Sequence, residues 1–281
     1  MAEPPQQQDA RRTGLLLGIL IVAMVAVGGV ASTLYARGHW WLPPLASVHG
    51  ADIDRLFYST LIITGVVFVL VHVILALFVW QYAAYGDRKA LYWHDNRKLE
   101  LTYTIIPAIV LALMVSMGGV VWATIHKAPP AEALVVDVRG EQFAWLSRYP
   151  GPDGAFGRVD PKRIDHRTNP MGLDPGDSGS ADDIVSNELH LVVNRPVRVR
   201  LRSTGVLHSF FIPAFRVKQD AVPGVTIEFW FTPTREGPYE IACAELCGIG
   251  HYAMKGKVVV ESQQAFDAWL AQQKPALKQG P

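Results

Sequence analysis

Cysteine is scarce in this sequence. Only two cysteines occur among 281 residues, Cys243 and Cys247, so a framework of several disulfides is excluded. A bond between these two would close a loop of only five residues, where the geometry is strained and the entropic gain is small. No Cys-x-x-Cys-His motif occurs, which excludes a covalently attached c-type haem. The two thiols are therefore better explained as metal ligands than as a disulfide.

Charged side chains are missing from three long segments before residue 127. The segments 13–36, 56–86 and 101–126 contain 24, 31 and 26 residues without Asp, Glu, Lys or Arg. About 20 helical residues match the hydrocarbon core of a bilayer, and a soluble globular core does not need three such segments in succession. The sequence predicts a membrane α-helical anchor of two to three transmembrane helices. Residues 1–37 form an N-terminal transmembrane helix or signal segment, and residues 56–127 form a transmembrane helical hairpin.

The first apolar segment and the basic residues decide the expected topology. The first segment is longer than the roughly 7–15 apolar residues usual for a signal peptide, which favours a retained helix. Short links rich in Lys and Arg face the cytoplasm. The link between the second and third segments contains four basic residues, and a basic pair precedes the first segment: Arg88, Lys89, Arg97, Lys98, Arg11 and Arg12. We therefore expect a protein of the bacterial cytoplasmic membrane whose C-terminal domain lies on the periplasmic side.

A net charge of either sign is also lacking. The formal charge is +1, and from Lys127 onward 18 basic residues balance 18 acidic ones. Nucleic-acid-binding domains usually carry a clear basic excess on one face. Nucleic acid is therefore not expected as a partner, whereas membrane lipid is.

Residues 131–281 have the pattern of an exported all-β domain. Short apolar or alternating segments are separated by Gly, Pro and Asp clusters, which is typical of an antiparallel β-sandwich. The predicted strands are Leu134–Val138, Glu188–Val193, Val197–Arg202, Val225–Phe231, Tyr239–Ala242 and Lys257–Val260. In Val197–Arg202 the alternation points the apolar side chains to the core and the three arginines to a solvated or subunit-facing side.

Two further segments belong to this domain. Between Tyr149 and Asn187 the chain is rich in Pro, Gly and Asp and has no periodicity, which predicts an insertion or loop rather than core. Within Gln263–Gln273, Phe266, Trp269 and Leu270 recur at helical spacing. We expect a short helix packed on the sandwich there.

The candidate chemistry is concentrated in one segment of twelve residues. It contains two thiols, an imidazole and a thioether, Cys243, Cys247, His251 and Met254, and His208 lies 35 residues before Cys243. Thiolate, imidazole and thioether are the donors that copper takes in electron-transfer sites. Zinc sites do not normally recruit methionine, and a mononuclear blue-copper site uses only one cysteine. Two copper ions sharing two sulfurs, each with one histidine, explain the set best.

Three stretches of the sequence resemble subunit II of cytochrome c oxidase and its bacterial relatives. They are Leu207–Pro213, Val217–Gly224 and Cys243–Met254, each with the family's spacing, and the likeness extends over about residues 56–274. The resemblance implies that the exported domain is a cupredoxin-like Greek-key sandwich. It also implies a haem-copper terminal oxidase, in which this subunit accepts electrons from cytochrome c or a haem c subunit. The electrons then pass to the haem of subunit I, where oxygen is reduced to water with proton translocation.

The resemblance further implies a role for each candidate ligand in a dinuclear copper (CuA) centre. Both cysteines bridge the two copper ions, both histidines are terminal ligands, and the last two positions are a thioether and a backbone carbonyl: Cys243, Cys247, His208, His251, Met254 and Glu245. The side chain of Glu245 is implied as a ligand of a magnesium ion at the interface with subunit I, a role suited to a carboxylate.

Three other residues are candidates for electron or proton transfer. The tryptophan through which electrons enter in the family aligns with Phe143, which cannot donate the indole hydrogen bond, so Phe143 and Trp145 are both candidates for receiving electrons. Asp220 is a candidate carboxylate for cytochrome c docking. Glu100, at the start of the third apolar segment, matches a family glutamate at the opening of a proton-uptake path.

Two other functions are compatible with the sequence. The chain could be the subunit that receives electrons in a copper-containing nitric oxide reductase, because the copper loop would look alike. It could also be a non-respiratory copper-binding protein, which would need an open, exchangeable site. A quinol oxidase subunit is disfavoured because such subunits share the fold but lack the copper ligands.

Overall fold

The computed structural model describes residues 5–39, 41–83, 89 and 91–278. Arg88 of the basic link and the last three residues of the expected exported domain lie outside the described residues. The chain divides into two units. A helical unit contains Met1–Trp41 and Asp54–Val120, and a second unit contains Leu42–Ile53 and Val121–Pro281.

Three long helices make up most of the first unit. They are α1 (Pro5–His39), α2 (Val48–Gln81) and α3 (Arg97–Ile125), and each is long and apolar enough to cross a membrane. A carboxamide cap starts α3, since Asn96 Oδ1 accepts a hydrogen bond of 3.2 Å from the Leu99 amide. Glycine allows α1 and α2 to approach closely, because a Cβ at Gly18 would lie 2.9 Å from the Ala76 carbonyl oxygen. The predicted membrane anchor is thus confirmed, with three helices.

The second unit is a two-sheet β-sandwich with a short C-terminal helix, α4 (Gln263–Gln272). The first sheet has the order β3-β2-β1-β5-β8 and the second has the order β4-β10-β9-β6-β7. The strands are β1 (Leu134–Glu141), β2 (Ala144–Tyr149), β3 (Ile184–Ser186), β4 (Glu188–Val192), β5 (Val197–Ser203), β6 (His208–Ile212), β7 (Val217–Ala221), β8 (Ile227–Phe231), β9 (Gly237–Cys243) and β10 (Lys255–Glu261). All six predicted strands and the C-terminal helix are present. The prediction missed β2, β3, β6 and β7.

The predicted β-sandwich is confirmed, but two of its strand pairs are parallel and not antiparallel as expected. β1 pairs with β5, and β4 pairs with β10, in parallel. Parallel partners need a long crossover connection. Each of these pairs therefore joins strands that are far apart in sequence, and the chain between them passes through the other sheet. Apolar side chains from both sheets meet in the core, including Val136, Val199, Leu191, Phe210 and Val258, all fully buried.

A segment before α2 is part of the sandwich unit. Ala46 is buried in the core, and its amide donates to the Ala214 carbonyl at 2.9 Å while its own carbonyl accepts from the Thr234 amide at 2.9 Å. The Ser47 hydroxyl donates to the Phe215 carbonyl at 2.6 Å. The expected exported domain, residues 131–281, does not include this segment.

The segment between Tyr149 and Asn187 was predicted to be an insertion or loop without core residues. The structure corrects this prediction, because part of the segment packs on the sandwich as a covering layer. It covers the outer face of the first sheet, where Met171 and Leu173 form a second small apolar cluster with Leu146 of β2. Its end supplies β3, which pairs with β2. The sequence pattern concealed this layer because its backbone is held by turns and short 3-10 helices rather than by long regular elements.

A buried ion-pair network fastens this covering layer to the sheet. Arg148 of β2 is fully buried, and its guanidinium contacts the carboxylates of Asp183 at 2.6 Å and Asp137 at 3.4 Å. Arg200 of β5 approaches Asp137 at 2.9 Å, and both guanidinium groups lie over the Phe156 ring. The arginines of β5 are therefore not a uniformly solvated row.

The substitution Asp183→Asn should destabilise the chain strongly. It leaves the buried Arg148 guanidinium with an incomplete set of negative partners, and removal of one partner from a buried ion pair costs about 3–5 kcal/mol. Urea unfolding of the full chain in detergent, followed by tryptophan fluorescence, measures this change. The matched control is Glu228→Gln, which breaks an ion pair to Arg198 that is about two-fifths exposed on both sides and should cost about 1 kcal/mol or less. Equal effects of the two variants would contradict the role of the network.

Candidate metal centre

Strand pairing brings the predicted ligands together. His208 is the first residue of β6 and Cys243 is the last residue of β9. These strands are antiparallel neighbours in which Phe210 lies opposite Cys243, so His208 and Cys243 meet at one end of the second sheet. The loop after Cys243 returns through Met254 to β10, the other neighbour of β9.

Three sulfur atoms and two imidazoles converge in this loop. Cys243 Sγ lies 3.8 Å from Cys247 Sγ and 3.8 Å from His208 Nδ1. Cys247 Sγ lies 3.6 Å from His251 Nδ1 and 3.6 Å from Met254 Sδ. A disulfide would require about 2.05 Å between the sulfurs, and both cysteines are free. Separations near 3.7 Å are those of atoms around a shared metal at about 2.3 Å from each sulfur.

Backbone hydrogen bonds hold the loop in this shape. The Cys243 amide donates to the Met254 carbonyl at 3.2 Å, and the Ala244 amide donates to the Ser209 carbonyl of β6 at 2.9 Å. Gly248 has a φ of +132°, a conformation that side chains with a Cβ rarely adopt. The loop conformation thus depends on glycine at this position.

Burial shifts the pKa of two of the donor groups in the metal-free chain, Cys247 and His208. Burial, together with the neighbouring Cys243, raises the pKa of the Cys247 thiol to about 11. Burial also lowers the pKa of His208, and the charge of His251 adds to that effect. A thiol of raised pKa gives up its proton when a metal ion takes its place, and a neutral imidazole is ready to ligate. The donor set therefore fits a soft or borderline metal ion.

The turn between β1 and β2 lies directly against the loop. Gln142 Nε2 donates to the Cys247 carbonyl at 2.6 Å. The half-buried Phe143 ring covers Gly248 and Gly250 so closely that a Cβ at Gly250 would overlap it. Gln142 was not predicted, and only this long-range contact identifies it.

Trp145 occupies a different position from Phe143. Its ring is buried, 2% exposed, and lies edge-on to the His208 ring with 6.0 Å between centroids. It also packs against Phe210. Phe143 therefore contacts the outside of the loop, whereas Trp145 supports a ligand from the core.

The other predicted site residues are placed as follows. The Glu245 carbonyl lies 3.2 Å from Cys243 Sγ, next to the ligand cluster. The Asp220 carboxylate accepts a hydrogen bond of 2.7 Å from the Ser209 hydroxyl and pairs with Lys218 at 3.0 Å. Glu100 lies in the first turn of α3 and is exposed, so it belongs to the helical unit and not to this cluster.

Comparisons with known proteins agree with this site. The chain matches the family of the cytochrome c oxidase subunit II periplasmic domain over residues 134–263 and the subunit's transmembrane domain over residues 36–117. It is 40% identical over 257 residues to an alternative cytochrome c oxidase subunit 2 of Bradyrhizobium diazoefficiens, covering 91% of each chain. It is 30% identical to a cytochrome c oxidase subunit 2 of Cereibacter sphaeroides, covering 82% of this chain and 78% of that one.

One solved structure is also similar in sequence. It is the periplasmic domain of subunit II of the cytochrome oxidase of Bradyrhizobium japonicum, at 29% identity over 50% of this chain and 94% of that chain, with a TM-score of 0.38. The two family matches together span most of the chain, and the predicted ligands converge in the segment they cover. This chain belongs to the cytochrome c oxidase subunit II family.

Proposed function

We propose that this chain holds two copper ions in its ligand loop, accepts electrons there from a cytochrome c or a haem c subunit, and passes them to the haem of subunit I. The observation that carries the proposal is the convergence of two thiols, two imidazoles and a thioether, in which each donor atom lies 3.6–3.8 Å from the sulfur of Cys243 or Cys247. Donors of this kind are those of copper electron-transfer sites.

Six groups of this chain would hold the metal. The two cysteine sulfurs, the two imidazoles, the thioether and one backbone carbonyl would be the ligands: Cys243, Cys247, His208, His251, Met254 and the Glu245 carbonyl. When bound, the copper pair supplies a one-electron redox couple. The Glu245 carboxylate is proposed to reach a magnesium ion at the interface with subunit I.

The surrounding residues keep the ligands in place during electron transfer. His208 is fully buried and Met254 is 1% exposed, so water has little access to these two positions. The Gln142 side chain donates a hydrogen bond to the Cys247 carbonyl, and the Ala244 amide donates one to the Ser209 carbonyl. Outer contacts of this kind orient ligands and limit their movement, which is what rapid electron transfer requires.

The electron donor is proposed to dock over the exposed side of the loop. Three side chains of the loop, those of Leu246, Ile249 and Tyr252, are 77%, 95% and 84% exposed, and in sequence they flank the two glycines that Phe143 covers. Apolar residues at the centre of a patch with charges at its rim are typical of protein interfaces. Hydrogen bonds from Ser209 and Lys218 hold the pKa of the Asp220 carboxyl below its usual value, so it is ionised at neutral pH.

The basic link sets the proposed orientation. Lys89 lies between α2 and α3, and Arg97 and Lys98 are the first two residues of α3; basic segments of this kind face the cytoplasm. The sandwich unit then lies on the periplasmic side of the bacterial cytoplasmic membrane, where the donor cytochrome is proposed to bind. Glu100, beside this link, is proposed to take up protons from the cytoplasm for proton translocation by the oxidase.

Copper loading should give a dinuclear centre. We expect the full chain in detergent to bind two copper ions, and electron paramagnetic resonance of the oxidised form should show hyperfine splitting from two equivalent nuclei, because both sulfurs are shared. Cys247→Ser should reduce the copper content to one ion. Tyr252→Phe, a change to an exposed side chain of the same loop, should leave both ions in place. One copper per native chain, with splitting from a single nucleus, would overturn the dinuclear assignment.

Phe143→Ala should slow electron transfer within the complex with cytochrome c. The ring covers Gly248 and Gly250 of the loop, so its removal should lengthen the path from donor to metal. Flash-induced oxidation of bound cytochrome c by the assembled oxidase measures the rate, and Phe143→Trp should preserve it. Association should also slow with added salt, since screening shortens the reach of charges to about 8 Å at physiological ionic strength. An unchanged rate in Phe143→Ala would place the electron path elsewhere.

Glu100→Ala should separate proton uptake from copper chemistry. An exposed carboxylate at a membrane edge can accept protons from water and pass them on, which alanine cannot. Both copper ions and oxidation of cytochrome c should remain, while stopped-flow reduction of the oxygen-binding haem in the assembled oxidase should slow. Glu100→Asp should retain most of the rate. If Glu100→Ala has the native rate at every pH, Glu100 is only an interfacial anchor.

A further inference from the structure

A cleft separates the covering layer from the outer face of the first sheet. It has a volume of about 590 Å³ and lies at the end of the sheet nearest the ligand loop, since its rim includes the loop that leads from β5 to His208. One wall is apolar and comes from the covering layer: Val159, Pro161, Ile164 and Met171. The facing side is basic and comes from β1 and β5.

Two arginines form this basic side. Arg139 of β1 and Arg202 of β5 lie opposite each other in the parallel pairing, so both side chains project from the same face. Arg139 is 8% exposed and Arg202 is half-buried. Within the described part of the chain, neither guanidinium forms an ion pair with a carboxylate. Arg200, two residues before Arg202, does form one, with Asp137.

The nearby acidic groups are already engaged. Asp137, which also lines the cleft, lies between Arg148 and Arg200. Glu141 is bonded to His166 at 3.0 Å. Burial lowers the pKa of Arg139 and of Arg202, although Glu141 acts in the opposite direction on Arg139 and Asp137 does so on Arg202. The cleft therefore holds excess positive charge in a poorly solvated position, where an unbalanced charge is costly.

Hydroxyl groups extend this set of donors. Arg139 Nε donates to the Thr204 hydroxyl, and Arg202 Nε donates to the Thr226 hydroxyl at 3.0 Å. Because each hydroxyl oxygen accepts from an arginine, its own proton remains available to a further acceptor. Arg139 Nη1 donates to the Pro170 carbonyl at 2.8 Å, which fixes the guanidinium against the covering layer. The cleft thus presents hydrogen-bond donors on one side and apolar surface on the other.

We propose that this cleft binds a small oxyanion, a carboxylate or phosphate group, between the guanidinium groups of Arg139 and Arg202. Arginine forks match the paired oxygens of both groups, and the two threonine hydroxyls add donors. The apolar wall accommodates a short apolar portion of an organic anion. The site is separate from the ligand loop and does not depend on copper.

Calorimetric titration of the metal-free full chain in detergent tests this site. The probes are inorganic phosphate and succinate at constant ionic strength, and saturable binding of either supports the proposal. Tighter phosphate binding identifies a phosphate site, and tighter succinate binding identifies a site for an organic carboxylate. Binding of neither probe would overturn the proposal.

Two substitutions on β5 test whether the anion binds in this cleft. Arg202→Gln should weaken binding about tenfold or more, because a hydrogen bond to a charged group is lost. Arg198→Gln is the matched control on the same strand and face, outside this cleft, and should bind as the native chain does. Arg202→Gln should also keep or raise the anion-free melting temperature, since it removes a like charge. Native affinity in Arg202→Gln, or a large loss of melting temperature without anion, would mean that the arginine is only structural.

Discussion

The antiparallel pairing of β6 with β9 is the contact on which the candidate metal centre depends. His208 and Cys243 are 35 residues apart in sequence, and only the register that sets Phe210 opposite Cys243 brings their side chains together. The remaining ligands follow from this contact, because the loop after Cys243 must turn back to form β10 beside β9. A shift of one residue in this register would turn His208 to the other face of the sheet. The apolar core that fixes the register therefore also fixes the positions of the candidate ligands.

The sequence was informative where the determining pattern is local. The three helices were predictable because each uncharged segment carries its own signal. The candidate site was predictable because four of the five side-chain ligands lie within one stretch of twelve residues. β6 was missed although it contains a run of apolar residues, because its five residues are too short to distinguish a strand from other buried segments. Gln142 could not be predicted, since its role follows from a contact with Cys247, more than a hundred residues away. Long-range contacts of this kind leave no periodic trace in the sequence.

The covering layer shows the same limit on a larger scale. Its Pro, Gly and Asp content correctly predicts turns. It does not reveal that these turns are arranged around the buried Arg148 of β2. Arg148 finds its acidic partners in Asp183 of the covering layer and Asp137 of the sheet. A buried charge of this kind is tolerated only with partners in good geometry, so the layer and the sheet depend on each other. The absence of regular structure in a segment is therefore a poor reason to regard it as peripheral.

The three arginines of β5 show that the alternation of apolar and charged residues along a strand does not tell which of the outward side chains are solvated. All three point away from the core, as the pattern predicts, yet each has different surroundings. Arg198 pairs with the exposed Glu228, and Arg200 pairs with the buried Asp137. Arg202 donates to a threonine hydroxyl and faces Arg139 across the strands. A guanidinium placed beside another one, half-buried and, among the described residues, without a carboxylate at ion-pair distance, costs free energy that the fold could have avoided with a neutral side chain. Binding of an anion at this position would offset that cost. An anion site would therefore explain the two adjacent arginines, which packing alone does not explain.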